Sequence, residues 1–139
     1  MVSLMGRPAK ALIGLIGFFT CTYFASALTS TPARAGCEEL HTAVESGNYA
    51  VIDQELAWST DINCLNAQGE APLHTAVYTL NSSLVSYLLS RGASVNIFDN
   101  MGGTPLDIAW AEYEYATESE LGALESVIDV LENAGGYTF

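Results

Sequence analysis

From residue 38 onward the apolar positions follow a helical rhythm that is interrupted by turns. In Ala71-Pro-Leu-His-Thr-Ala-Val, Leu73, Ala76 and Val77 recur at helical spacing. Pro72 suits a first helical position there, since its φ is preset and no backbone donor is missed. The spacing predicts a second helix from about Ser82 to Ser90, with Leu84, Val85, Leu88 and Leu89 inward and Ser82 or Ser83 near its cap. Gly92 supplies the stop, at a position where φ is expected to be positive. The stretch Ala93 to Gly103 has turn composition, carrying Asn96, Asp99, Asn100, Gly102 and Gly103. One unit therefore reads helix, turn, helix, long turn.

The unit repeats. Shifting the chain by 33 residues lays Leu40-His41-Thr42-Ala43-Val44 on Leu73-His74-Thr75-Ala76-Val77. The same shift pairs Val51 and Ile52 with Leu84 and Val85, Leu56 with Leu89, and Ile62-Asn63 with Val95-Asn96. A second step takes Gly69 to Gly102, Pro72-Leu73 to Pro105-Leu106, and Ala76 to Ala109. Two equal steps through the same residue types mean stacked units, none of which can bury its apolar face alone.

At these residues the chain resembles the ankyrin-repeat family, whose T-P-L-H-x-A pattern is met as APLHTA at 71–76, TPLDIA at 104–109 and a shortened ELHTA at 39–43. LLSRGASVN at 88–96 matches the family's helix end and loop. The resemblance implies an all-α solenoid of about three helix-turn-helix units, near 37–68, 69–101 and 102–136, joined by long β-turn-like loops. Ala71 lacks the usual threonine hydroxyl and Asp107 replaces the usual histidine, so some hydrogen bonds between neighbouring repeats are expected to be lost. In the third unit Val127, Ile128, Leu131 and Gly135 match Leu84, Val85, Leu88 and Gly92 only at a shift of 43, which marks ten inserted residues near 111–123.

The first 35 residues have a different character. Arg7 and Lys10 precede the apolar run Ala11 to Leu28, and small residues follow at Ala25-Ser26-Ala27 and Ala33-Arg34-Ala35. These are the three parts of a secretory signal peptide, with cleavage after Ala35 preferred and after Ala27 the alternative. An uncleaved anchor is the rival reading, weakened by Gly14, Gly17, Thr20, Thr22 and Ser26 within the run. Export into the periplasm or beyond leaves Cys37 and Cys64, an even count that suggests one disulfide. Lipidation of Cys37 is the competing fate, though Arg34 stands where bacterial lipoprotein signals usually carry an apolar residue.

Charge narrows the function. Residues 36–139 hold all sixteen acids and one base, Arg91, for a net charge of −15. Such a surface repels nucleic acids and anionic lipids and attracts a basic or positively patched protein. No nucleophile-elbow, phosphate-loop or zinc motif occurs in this part, so no enzyme, cofactor or metal is expected. His41 and His74 occupy equivalent places in adjacent units. With packed helices about 8–10 Å apart they suit loop hydrogen bonds better than a shared metal.

The resemblance implies binding to another protein, by a chain that is monomeric when free, through loop tips and the exposed side of each first helix. Carried to this sequence, that surface is Glu45, Gln68, Glu70, Tyr78, Thr79, Phe98, Asn100, Met101 and Glu112. Phe98 and Met101 lie in a turn-rich segment, where they either anchor a partner or cover a neighbouring loop. The insertion AEYEYATESELGA adds Tyr113 and Tyr115 among Glu112, Glu114, Glu118 and Glu120. It reads as a lengthened helix pair with an acidic face, in which Thr117 to Glu120 form a capping box, or as a partner-binding protrusion. Calcium is the third option, without an EF-hand's glycine and ligand ladder.

Overall fold

The computed structural model describes residues 32–139, with side chains from Gly36 onward; the apolar run Ala11 to Leu28, which the sequence suggests is part of a signal peptide, and Cys21 lie outside the described residues. Among the described residues six helices follow one another: α1 (Pro32–Glu45), α2 (Tyr49–Ala57), α3 (Pro72–Tyr78), α4 (Ser82–Ser90), α5 (Pro105–Tyr115) and α6 (Glu118–Asn133). No strand occurs among the described residues. Helices pair as α3–α4 and α5–α6; α3 also packs on α5, and α4 on α6.

The caps follow from side chains that can reach a free backbone donor. Asn48 accepts from Val51 N–H at 3.3 Å and Asn81 accepts from Leu84 N–H at 3.1 Å. The cap of α4 is thus Asn81 rather than Ser82 or Ser83, because its carbonyl stands one residue earlier and spans to the third helical N–H. Thr104 and Asp107 close α5 reciprocally: Asp107 N–H donates to Thr104 Oγ1 at 3.2 Å, and Thr104 N–H donates to Asp107 Oδ2 at 2.9 Å. Ala71 lacks that hydroxyl, and its N–H instead donates to His74 Nδ1 at 3.0 Å.

Each long turn is built around one Asx side chain. Asn66 Oδ1 accepts from Gln68 N–H and Glu70 N–H, at 3.0 and 2.9 Å. One repeat later Asp99 Oδ1 accepts from Met101 N–H and Gly103 N–H, at 2.7 and 2.8 Å. Gly69 and Gly102 complete these turns at φ of 80° and 83°, a conformation other residues rarely adopt. Gly69 has a second constraint, since Asn100 lies directly over it and donates to Gln68 O at 3.1 Å.

Between units, His41 places one ring nitrogen 2.9 Å from Thr75 Oγ1 and the other 3.3 Å from Cys64 O, and His74 Nε2 lies 3.3 Å from Gly103 O. Around these polar rivets runs one apolar core. It takes Leu40, Val44 and Ile52 from the first unit, Leu73, Val77, Leu84, Val85 and Leu88 from the second, and Leu106, Val127, Ile128 and Leu131 from the third. Burying each such side chain contributes roughly 1.5–3 kcal/mol. Leu84, Val85 and Leu88 share their buried role with Val127, Ile128 and Leu131, the register set by the shift of 43.

The ten inserted residues lengthen both helices of the third unit. Helix α5 has eleven residues where α3 has seven, α6 has sixteen where α4 has nine, and the connection between them is one residue shorter. Thr117 and Glu120 form the expected capping box, with Thr117 N–H donating to Glu120 Oε2 at 3.0 Å. Past α6 the chain folds back on the last loop. Tyr137 N–H donates to Asn96 Oδ1 at 3.0 Å, as Ser94 N–H donates to Asn63 Oδ1 at 2.8 Å one repeat earlier. Thr104 Oγ1 donates to Tyr137 O, and Phe139 N–H donates to Asp107 Oδ1. Asp107 in the histidine position therefore costs no bond between described repeats, because it holds the tail instead.

Cys37 on α1 is bridged to Cys64 in the loop after α2, with Cα atoms 5.9 Å apart and 27 residues of separation. Replacing both by serine should lower stability by about 3 kcal/mol in the chain-entropy account. Urea unfolding should show this as a lower midpoint, and an unchanged midpoint would mean that the bridge does not hold the first unit in place. The buried His41 sets an acid limit. Desolvation pushes its pKa below the ordinary histidine value, outweighing the upward pull of Cys64 O, Glu45 and Glu70. Below pH of about 6.5 the unfolded chain therefore takes up a proton that the folded chain resists, and stability falls with falling pH. His41→Gln should remove that slope from a series of melts between pH 7 and pH 5.

Candidate protein-binding surface

The exposed ends of α3 and α5 and the adjoining loops converge on Tyr78, at the C-terminus of α3. Its ring is 48% exposed. Its hydroxyl is harder to ionise than an ordinary tyrosine, first because the phenol is partly desolvated and then because Glu70, Glu112 and Asp99 surround it with negative charge. Glu70 and Asp99 come from successive long turns and Glu112 from α5, so carboxylates from three segments distant in sequence act on the charge of one phenol. Glu45 is exposed near the end of α1, and it and Glu70 both act on the charge of His41. A phenol flanked by acids suits the guanidinium or ammonium group of a partner, offering a ring face and carboxylate acceptors together.

The remaining candidates divide by what the fold already asks of them. Gln68 is exposed, but its carbonyl holds Asn100, whose side chain is spent on covering Gly69. Thr79 donates its hydroxyl to Ala76 O at 2.7 Å. Phe98 packs against Phe139, with ring centroids 5.2 Å apart, and Phe139 packs in turn against Tyr137. It thus covers the returning tail while staying half exposed. Met101, at a loop tip, is 96% exposed. Tyr113 packs on the core, edge-on to Trp110, and its hydroxyl lies 3.3 Å from Glu125. Tyr115, at the end of α5, is 87% exposed.

Sequence reasoning passed over Asp99 as a member of this surface and passed over Trp58 and Trp110. Trp110 follows Val44 and Val77 in register, and both valines are fully buried because another unit stacks on them. The third unit has no following unit among the described residues, so the same position is a half-exposed tryptophan. The 33-residue register held that signal: a large aromatic at the last member of a buried column marks an open end. Trp58 is more exposed still, just past α2, and no periodic feature foretold it.

Arg91, the one base of residues 36–139, is committed elsewhere. It pairs with Asp53, and its guanidinium lies 5.1 Å from the centre of the Tyr87 ring. Tyr87 also hydrogen-bonds Asp53 and stands edge-on to Tyr49 at 4.8 Å. The cluster clips α2 to α4, away from Tyr78. Cys37, His41 and Cys64 place their ligating atoms within 4.8 Å of one another, but the bridge engages both sulfurs and His41 uses both nitrogens.

A stack of helix pairs joined by exposed turns is a repeat solenoid, an architecture that offers an extended surface. The family model for ankyrin repeats, in three copies, matches residues 40–118, more than half of the sequence, and the chain belongs to the ankyrin-repeat family. Ankyrin repeats are protein–protein interaction modules, typically without catalytic chemistry of their own. No curated protein gives a significant match to the chain.

Spectrophotometric titration tests the electrostatics of this face. Tyr78 should ionise above the ordinary tyrosine value of about 10. Tyr78→Phe should remove one high-pH step, and Glu70→Gln should bring that step down. A titration unchanged by Glu70→Gln would separate the ring from the charge of Glu70.

Proposed function

We propose that the chain is an exported binding module whose mature domain, residues 36–139, captures a basic or positively patched protein through the face around Tyr78. The observation that carries this reading is a half-exposed tyrosine whose ionisation is opposed by the charges of Glu70, Glu112 and Asp99, on a domain whose single base is already paired. Complementary fields raise association rates and exclude wrong partners, while the aromatic ring supplies contact area at little entropic cost. Export is supported by the apolar leader and by a cysteine bridge of the kind that persists in oxidising compartments. A Cys37 bonded to Cys64 has no thiol left for a lipid. The role that fits is inhibition or neutralisation: the acidic face covers the working surface of a basic secreted enzyme or toxin.

The second reading is an accessory subunit that stabilises an envelope enzyme or assembly. It is favoured by Met101, an apolar side chain almost fully exposed at a loop tip.

Affinity capture from the envelope fraction at low and high salt, with mass spectrometry, distinguishes the two. The inhibitor reading expects one basic protein, lost at high salt, whose affinity falls about 10- to 100-fold with Tyr78→Ala, the range of an interface hot spot. Glu70→Gln combined with Glu112→Gln should slow association and flatten the salt dependence. Salt-insensitive capture abolished by Met101→Ala supports the accessory reading instead.

A further inference from the structure

The second helix of each unit has one inward position that is leucine in two units and glutamate in the first. Leu88 and Leu131 are fully buried there, and Glu55 occupies the equivalent place in α2 with only 4% exposure. A carboxylate in a leucine position costs several kcal/mol of desolvation unless a cation and hydrogen bonds compensate. Among the described residues one side chain donates to it, Thr60, whose hydroxyl lies 3.2 Å from Oε2. The same oxygen is aimed at α1: a Cβ added to Gly36 would lie 3.2 Å from Glu55 Oε2 and 2.6 Å from Thr60 Oγ1. No larger residue fits at 36 without displacing this pair.

We propose that Glu55 and Thr60 form a receptor for the α-ammonium group of Gly36, created when the Ala35–Gly36 peptide bond is hydrolysed. Water adds across that bond, Ala35 leaves as a carboxylate with the signal segment, and Gly36 keeps the protonated amine. This rests on the export reading and on cleavage after Ala35. In the uncut chain Gly36 lies within α1, where glycine is a poor helix former. After the cut it is the first residue, where that penalty largely lapses. The cut also leaves the first N–H groups of the shortened helix without partners and puts a positive charge at the positive end of its dipole. A fixed carboxylate at that place answers both: it neutralises the ammonium and supplies an anion to the helix start. Glycine keeps the approach open, and Thr60 holds the carboxylate toward it.

The domain allows a clean test, because residues 36–139 contain no lysine, so the α-amine is its only primary amine. The protein is purified from an exporting host, and its intact mass is measured. The mass of a chain beginning at Gly36 is expected, and any other start overturns the inference while leaving the Tyr78 surface untouched. Acetylation of the α-amine should then lower the melting temperature of the mature protein by roughly 4–8 °C, the shift that follows loss of one such contact in a domain of this size. In Glu55→Gln the same acetylation should shift nothing. Equal shifts in both proteins, or none in either, overturn the assignment. A second readout needs no variant. The pH at which the α-amine becomes half-reactive toward the reagent should lie above its ordinary range of about 7.7–8.0. A value within that range overturns the pairing even if Glu55→Gln fails to fold.

Discussion

Each helix pair leaves an apolar face uncovered until another pair stacks on it, and the rest of the structure answers that need. Within the stack the answer is repetition: Leu40, Leu73 and Leu106 form one buried column, and Leu88 and Leu131 lie on another. Histidines fix the spacing, His41 of the first unit meeting Thr75 Oγ1 of the second and His74 of the second reaching the carbonyl of Gly103 in the third. Hydrogen bonds of this kind contribute about 1 kcal/mol each. Their larger effect is on register, because a slipped unit would leave an imidazole and a carbonyl buried without partners.

A short stack has proportionately more end than middle, and the two ends are closed by different chemistry. At the first unit a covalent bridge ties α1 to the loop after α2, and a glutamate takes a leucine's place. At the last unit a returning tail borrows the hydrogen-bond register of a further repeat. The one base is invested in joining α2 to α4, while most of the acids spread over caps, turns and the outer faces of helices. Both ends and the charge favour a domain that meets its partner as a preformed surface.

The architecture was legible because it is periodic. The 33-residue shift placed the helices, and the 43-residue shift placed α6, since buried leucines and valines must return to the same face. The cap of α4 was misplaced by one residue, because Ser82, Ser83 and Asn81 are all good capping types and the choice depends on backbone direction. The candidate surface was only partly legible. The charges of Glu70, Glu112 and Asp99 all act on Tyr78, and the part played by Asp99 is one that spacing alone does not describe. Thr79 and Asn100 have polar side chains that look free in a sequence, and the fold consumes both internally. Glu55 gave no signal except to a reader who compared it with Leu88 and Leu131.

The tail also bears on how such a chain can change length. Repeat proteins grow by duplicating a unit, and the new copy must dock on the face that the old terminus presents. Here Asn96, Thr104 and Asp107 already serve Gly135, Tyr137 and Phe139, and Asp107 lacks the ring nitrogen with which His74 reaches the following loop. A fourth unit copied in after residue 136 would meet a neighbour that cannot reciprocate. Lengthening is easier from within, by copying the second unit, whose His74 reaches the loop that follows it.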